Sequence, residues 1–329
     1  MGKTKEIGSR ALIDGISNFL TVPTDNRDCL VDLIKEKIGN GQNSISLCFR
    51  GDYATLYYRC KQLLKIRYSP KYKQVRGFFN FNYARFNPDQ AEIQSALADL
   101  GVRFGKDIEH ICVILDGKGK VETENLKKIL KTYMELINDW IACRRKSTIS
   151  ESDRQQQLFA SLFGNRENTY FDIEYREPRE TLINAGYYDD AGNDIEAKKA
   201  AYQKHSGGRF DLLGLRKAEN GYILQFVEVK TTVKACDGKA GVLDHIGDYT
   251  KYCKFETLVN QRKSDAVYTV NLLSTILDTG LKISVDDVVG HEIIFIFTDR
   301  AASKVSQYQQ TLEAHGIQTI CYDGKLNRI

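Results

Sequence analysis

The sequence predicts two domains, an α+β domain over residues 1–148 followed by an α/β domain over residues 149–329. Three observations carry this. The chain has 329 residues, enough for two domains of roughly 100 to 200 residues each. Its net charge of +4 is unevenly placed, because residues 1–150 hold 25 basic and 17 acidic side chains and the remainder holds 22 and 26. Finally, short aromatic strands dominate the first half, whereas helices and apolar strands alternate in the second.

With 27 % charged residues, 42 % hydrophobic residues and four prolines, the composition is globular and excludes long disorder or collagen-like repeats. The longest apolar runs, such as residues 293–297, fall far short of the ~20 residues a membrane-spanning helix needs, so no membrane partner is expected. The amino terminus lacks the apolar core of a secretory signal, and Glu6 stands where a myristoylation signal needs Ser or Thr. A cytoplasmic location is expected. Eight cysteines are scattered without a Cys-x-x-Cys pair, as reduced thiols would be, and neither they nor the five dispersed histidines suggest a zinc site.

In the first domain, Leu12, Ile13, Ile16, Phe19 and Leu20 recur at helical spacing, and Leu30, Leu33 and Ile34 resume it after a break at Pro23. Segments 44–49, 55–58, 63–68 and 77–83 are short, aromatic and β-branched between turn-formers, which predicts an antiparallel meander. A helix over 90–100 and a strand over 108–115 follow. Residues 122–141 read as an amphipathic helix whose stripe, Leu126, Ile129, Leu130, Tyr133, Leu136, Ile137 and Trp140, is expected to be core. Arg144-Arg145-Lys146 and the Ser/Thr run after it mark the boundary.

Between Asp52 and Asp89 there is no acid, but there are eight bases interleaved with aromatic residues. Cations neutralise phosphates and rings stack on bases, so Arg59, Lys61, Lys65, Arg67, Lys71 and Lys73 are candidate nucleic-acid contacts. The same pattern also fits a sheet whose aromatics are core and whose Lys and Arg face water.

In the second domain, Ser150 is placed to cap a helix over 150–164, with Asp153 in its first turn. A strand over 170–175 leads into a polar excursion over 177–208 with a helix near 194–203. Strands 209–215 and 222–233 are joined by a turn containing Glu219-Asn220-Gly221, a strong hairpin signal. A broken helical region over 242–277, strand 291–298, helix 301–314 and strand 317–322 complete the chain.

That hairpin carries Asp211 on one strand and Glu228 and Lys230 on the other, among Val and Leu. Two-residue periodicity puts Glu228 and Lys230 on one face. If Asn220-Gly221 forms the loop, Asp211 pairs with Lys230; if Glu219-Asn220 does, it pairs with Glu228. Both registers gather the three charges, and only a bulge separates them. Two adjacent carboxylates make a hard oxygen site suited to Mg²⁺ or Mn²⁺, with Lys230 beside it as a point charge. The competing reading is a cross-strand ion pair.

This strand Asp, hairpin and Glu-x-Lys resembles the PD-(D/E)xK, or restriction-endonuclease-like, nuclease superfamily over residues 150 to about 322. The resemblance implies a mixed central sheet flanked by helices and a Mg²⁺-dependent endonuclease hydrolysing phosphodiester bonds, with DNA as the expected substrate and bacterial defence as its setting. It implies that Asp211, Glu228 and the Val229 carbonyl hold the metal and that Lys230 acts on the attacking water. It also implies a further acid, Glu151 on the first helix or, alternatively, Glu174 on the first strand. His245 and Tyr249 share a helical face after the Glu-x-Lys strand, and with Lys234 they are the expected substrate contacts there; a surface or capping role for His245 stays open. The motif's proline is absent, Arg209-Phe210 preceding Asp211. Duplex cleavage with one site per chain would imply a homodimer. The rival reading is an inactive nuclease-like fold serving as a nucleic-acid-binding or assembly module.

Overall fold

The computed structural model describes residues 6–38, 43–50, 52–59, 61–80, 82–85, 87–104, 110–144, 151–163, 167–192, 194–204, 207–237, 241–322 and 326–328. Phe81, Phe86, Arg145, Lys146 and the Ser150 cap lie outside them. The chain divides into two compact units: Met1–Ile149 with Leu272–Gly280, and Ser150–Asn271 with Leu281–Ile329. No helix among the described residues is long and apolar enough to cross a membrane.

The first unit opens with α1 (Glu6–Thr21) and α2 (Asp25–Lys37), split where Pro23 ends one helix and Thr24 caps the next by accepting the Arg27 N–H. Strands β1 (Ile45–Arg50), β2 (Tyr53–Tyr58), β3 (Lys61–Ser69) and β4 (Gln74–Asn80) form the meander. Then come α3 (Asn82–Arg85), α4 (Gln90–Asp99), β5 (Arg103–Phe104), β6 (His110–Asp116) and α5 (Thr123–Arg144). The sheet runs β1-β2-β3-β4-β6-β5, antiparallel throughout.

Helices α1 and α5 pack on one of its faces. Gly15 of α1 sits so close to the Tyr68 ring that a Cβ there would collide with it. On α5, Tyr133 stacks on Phe79 at 4.3 Å, and the expected stripe is buried from Leu126 to Ile137. Buried Asn26 of α2 satisfies its amide on the carbonyls of Leu115 and Val121, both at 2.9 Å. The fourth strand ends earlier than its sequence suggests: Tyr83 belongs to α3, where it meets Trp140 edge-on.

The second unit comprises α6 (Glu151–Leu162), β7 (Asn168–Arg176), α7 (Arg179–Asn184), α8 (Ile195–Lys204), β8 (Arg209–Ala218), β9 (Gly221–Lys230), α9 (Val233–Cys236), α10 (Val242–Cys253) and α11 (Glu256–Leu277), whose residues from Leu272 onward belong to the first unit. It ends with β10 (Val288–Thr298), α12 (Val305–Ala314), β11 (Gln318–Tyr322) and β12 (Leu326–Arg328). The sheet order is β12-β11-β10-β9-β8-β7. Strands β7, β8 and β9 pair antiparallel, β10 runs parallel to both β9 and β11, and β12 closes the edge antiparallel, so the sheet is mixed. Every residue of β9 from Leu224 to Lys230 is buried, as befits a central strand covered on both faces.

Ala218 pairs with Gly221, so Glu219-Asn220 forms the hairpin loop. Strand β9 stops at Lys230 rather than continuing to 233, because Thr232 turns to cap α9 by accepting the Ala235 N–H.

Candidate active site

The loop choice sets the register that places Asp211 opposite Glu228. Paired positions run from Ala218–Gly221 to Leu212–Val227, and Asp211 is the next step. There the side chain replaces the ladder: the Asp211 carboxylate accepts the Val229 N–H at 2.7 Å. In an extended residue the N–H and C=O point to the same side, so the Val229 carbonyl opens toward Asp211 as well.

Glu228 is 3 % exposed and held from three directions. Lys230 Nζ lies 2.6 Å from one oxygen; Tyr249 donates its hydroxyl to the other at 2.7 Å, and His245 Nδ1 stands 3.3 Å from that second oxygen. Taking such a pair out of water costs several kcal/mol per ion, recovered only with close partners on both groups. Tyr249 and His245 lie one turn apart on α10, and the Tyr249 ring packs edge-on against Phe210, which fixes the hydroxyl.

The carboxyl groups press on one another. Burial first and the Glu228 charge second push the half-buried Asp211 carboxyl well above its usual range, with the Val229 N–H opposing. Burial also raises Glu151, at the start of α6; Lys230 opposes this, while Glu228 and Glu174 add to it. Glu151 therefore belongs to the same electrostatic cluster as the hairpin trio. Glu174 falls between the pairs Ile173–Leu212 and Tyr175–Phe210, opposite Asp211, with its side chain exposed and its backbone at φ +52°. A left-handed non-glycine residue inside a strand is strained by about 1–3 kcal/mol.

Among the described residues, no three His, Cys, Asp or Glu side chains are gathered as a metal cage. The donor set of two crowded carboxylates with a peptide oxygen suits a hard divalent ion that keeps waters and takes substrate phosphate.

Other expected contacts are placed differently. Tyr249 is 1 % exposed and binds Glu228, so it holds an acid instead of meeting a substrate. Lys234 lies exposed on α9. In the first unit, Arg59 donates to Asn138 of α5 at 2.7 Å, and Lys61 lies over the Trp140 ring of α5 at 5.5 Å. Both are on the helix-covered side, away from Lys65 and Arg67. The cause is a bulge: Leu56 pairs with Leu64 and Tyr57 with Gln62, so Leu63 is an extra residue that reverses the alternation. Lys71 and Lys73 sit exposed in the turn between β3 and β4, while Lys65 and Arg67 share a sheet face.

A second buried cluster has no obvious sequence signal. Glu177 is fully buried, accepts the Tyr252 hydroxyl at 2.6 Å and lies 3.4 Å from Arg262 Nε. Arg262 also donates to the Tyr175 hydroxyl and pairs with Asp265 at 2.7 Å. The cluster ties α10 and α11 to the end of β7, and so braces the helix that carries Tyr249 and His245.

No family model, no curated protein and no solved structure matches this chain.

Proposed function

We propose that the second unit is a metal-dependent nuclease of the PD-(D/E)xK type that hydrolyses phosphodiester bonds, with DNA as its substrate. The observation that carries this reading is the meeting of Asp211, Glu228 and Lys230 where β8 and β9 part, with Glu151 beside them. The order of helix, three antiparallel strands, helices and a parallel strand supports it.

Asp211, Glu228 and the Val229 carbonyl would hold Mg²⁺ or Mn²⁺. Such an ion, when bound, lowers the pKa of a bound water and offsets charge on the phosphoryl oxygens. Lys230 holds Glu228 in place and presents an ammonium that orients the attacking water and offsets charge on the scissile phosphate. Tyr249 and His245 fix the other Glu228 oxygen. Glu151, raised by burial, is the group suited to exchange a proton at the site. Cytoplasmic location, pairing of two chains for duplex cleavage and a role in bacterial defence belong to the same proposal.

The test is a cleavage screen over linear, circular and single-stranded DNA and over RNA, with Mg²⁺ and with Mn²⁺. Product is expected from the parent and none from Asp211→Ala, Glu228→Ala or Lys230→Ala; full activity in any of these variants overturns the assignment.

The close Glu228–Lys230 pair favours one second reading, an inactive nuclease-like fold that binds nucleic acid. Binding that is indifferent to divalent ions, with no product from any substrate, would establish it.

A further inference from the structure

Phe210, the residue before Asp211, is 3 % exposed and lies among four aromatic side chains. Tyr249 and Tyr252 share one face of α10 and meet its ring edge-on at 4.8 and 4.9 Å, with interplanar angles of 90° and 79°. Phe226 of β9 closes in at 4.8 Å, and Tyr175 of β7 stacks at 6.3 Å. Edge-to-face contact at these separations is a favoured arrangement of aromatic pairs. The tyrosines are themselves tethered: Tyr249 donates to Glu228 at 2.7 Å, Tyr252 donates to Glu177 at 2.6 Å, and Tyr175 accepts from Arg262.

The regular sheet would not put the Phe210 ring there. Paired residues of antiparallel strands share a face. Leu212 pairs with Val227 and Leu213 with Phe226, so unbroken alternation would send Phe210 to the face of Val227 and Phe226 to the other. Rings on opposite faces of a sheet cannot approach to 4.8 Å. The alternation is therefore broken between Leu212 and Phe210, at Asp211. The neighbouring strand departs at the same level, where Glu174, opposite Asp211, is left-handed. Pairing of β8 with β9 also ends at Leu212, so the ladder on that side stops short of the acid.

We propose that Phe210 is a positioning residue: clamped by Tyr249 and Tyr252, its ring holds the irregular backbone at Asp211 and so sets where that carboxylate stands. The Asp211 bond to the Val229 N–H at 2.7 Å is the product of that placement. The two tyrosines thereby serve both acids, since the Tyr249 hydroxyl holds Glu228 while its ring holds the neighbour of Asp211. The placement of Asp211 does not require the hydrolytic reading; its consequence for metal affinity and cleavage rests on that reading.

The test uses the full chain with isotope-labelled valine, first in EDTA. The temperature coefficient of the Val229 amide shift, small while the amide is bonded to Asp211, should steepen in Phe210→Leu, which keeps an apolar side chain and removes the ring; that of Val227, still paired in the ladder, should not. Mn²⁺ affinity by calorimetry should fall about 10- to 100-fold, and cleavage of DNA should lose kcat with KM unchanged. Tyr252→Phe, a near-isosteric change that drops only the tether to Glu177, should move these readings the same way by a smaller step. Leu312→Ala, a core truncation on α12, should lower the melting temperature and leave Val229 and Mn²⁺ affinity as in the parent. An unchanged Val229 coefficient in Phe210→Leu or, if that chain does not fold, in Tyr252→Phe overturns the proposal, as does an equal change in Leu312→Ala. A steeper coefficient in a protein whose parent binds no Mn²⁺ and yields no product upholds the role of Phe210 and overturns the hydrolytic reading alone.

Discussion

The two sheets treat charge in opposite ways. In the first unit Lys65, Arg67 and Arg76 reach water at least in part, and they are answered by the Tyr53 ring, by Asp52 at 3.7 Å and by the neutral amide of Gln74. In the second unit the charges of β9 are sealed inside, and Glu228 meets an ammonium, a hydroxyl and an imidazole within 3.3 Å. An exposed charge can wait for a mobile partner because water solvates it meanwhile. A buried one must bring its partners with it. On the proposed reading, local chemistry would belong to the buried group.

The sharpest way to break this contrast is to remove the internal partner. Glu228→Ala leaves Lys230 buried without its carboxylate and should lower stability by about 3–5 kcal/mol in urea denaturation. A loss under about 1 kcal/mol would mean that water reaches the pair. Tyr249→Phe removes one charge-assisted bond and should cost about 1.5–3 kcal/mol, together with a drop in any metal-dependent activity.

A pH series tests the crowding at Asp211. Its folded pKa is raised, so its contribution is fully present below the unfolded value and is lost as pH rises through the folded one. Asp211→Asn should therefore flatten the decline of the urea midpoint above the ordinary carboxylate range. Mg²⁺ should raise the melting temperature of the parent but not of this variant. The smallest effect is expected at Glu174. Because glycine adopts φ +52° freely, Glu174→Gly should gain up to about 1 kcal/mol, and its cleavage rate would report whether that acid takes part.

Period-two alternation made the hairpin trio legible, because each loop choice kept Asp211, Glu228 and Lys230 together. The loop itself, and hence which residue faces Asp211, needed the three-dimensional register. The run of bases and aromatics could not tell which face Lys61 takes, since the extra residue at Leu63 leaves no mark in composition. Strand ends blurred where β-branched residues continued past them: Thr232 reads as strand but serves as a cap. Long-range partners were invisible too. Tyr249 lies 21 residues from Glu228, and Arg262 lies 85 residues from Glu177, so helical spacing could suggest a shared face but not burial against an acid. Leu272–Gly280 joining the first unit was equally silent, because α11 runs through Asn271 and Leu272 without a break.

The Asp211 carboxylate stands in for a missing rung between β8 and β9 by taking the Val229 amide. A cation that draws this oxygen toward itself competes with that amide. On the proposed reading, deuterium uptake at Val229 would gauge occupancy, slow while the side chain bridges the strands and faster once the acid turned to the ion.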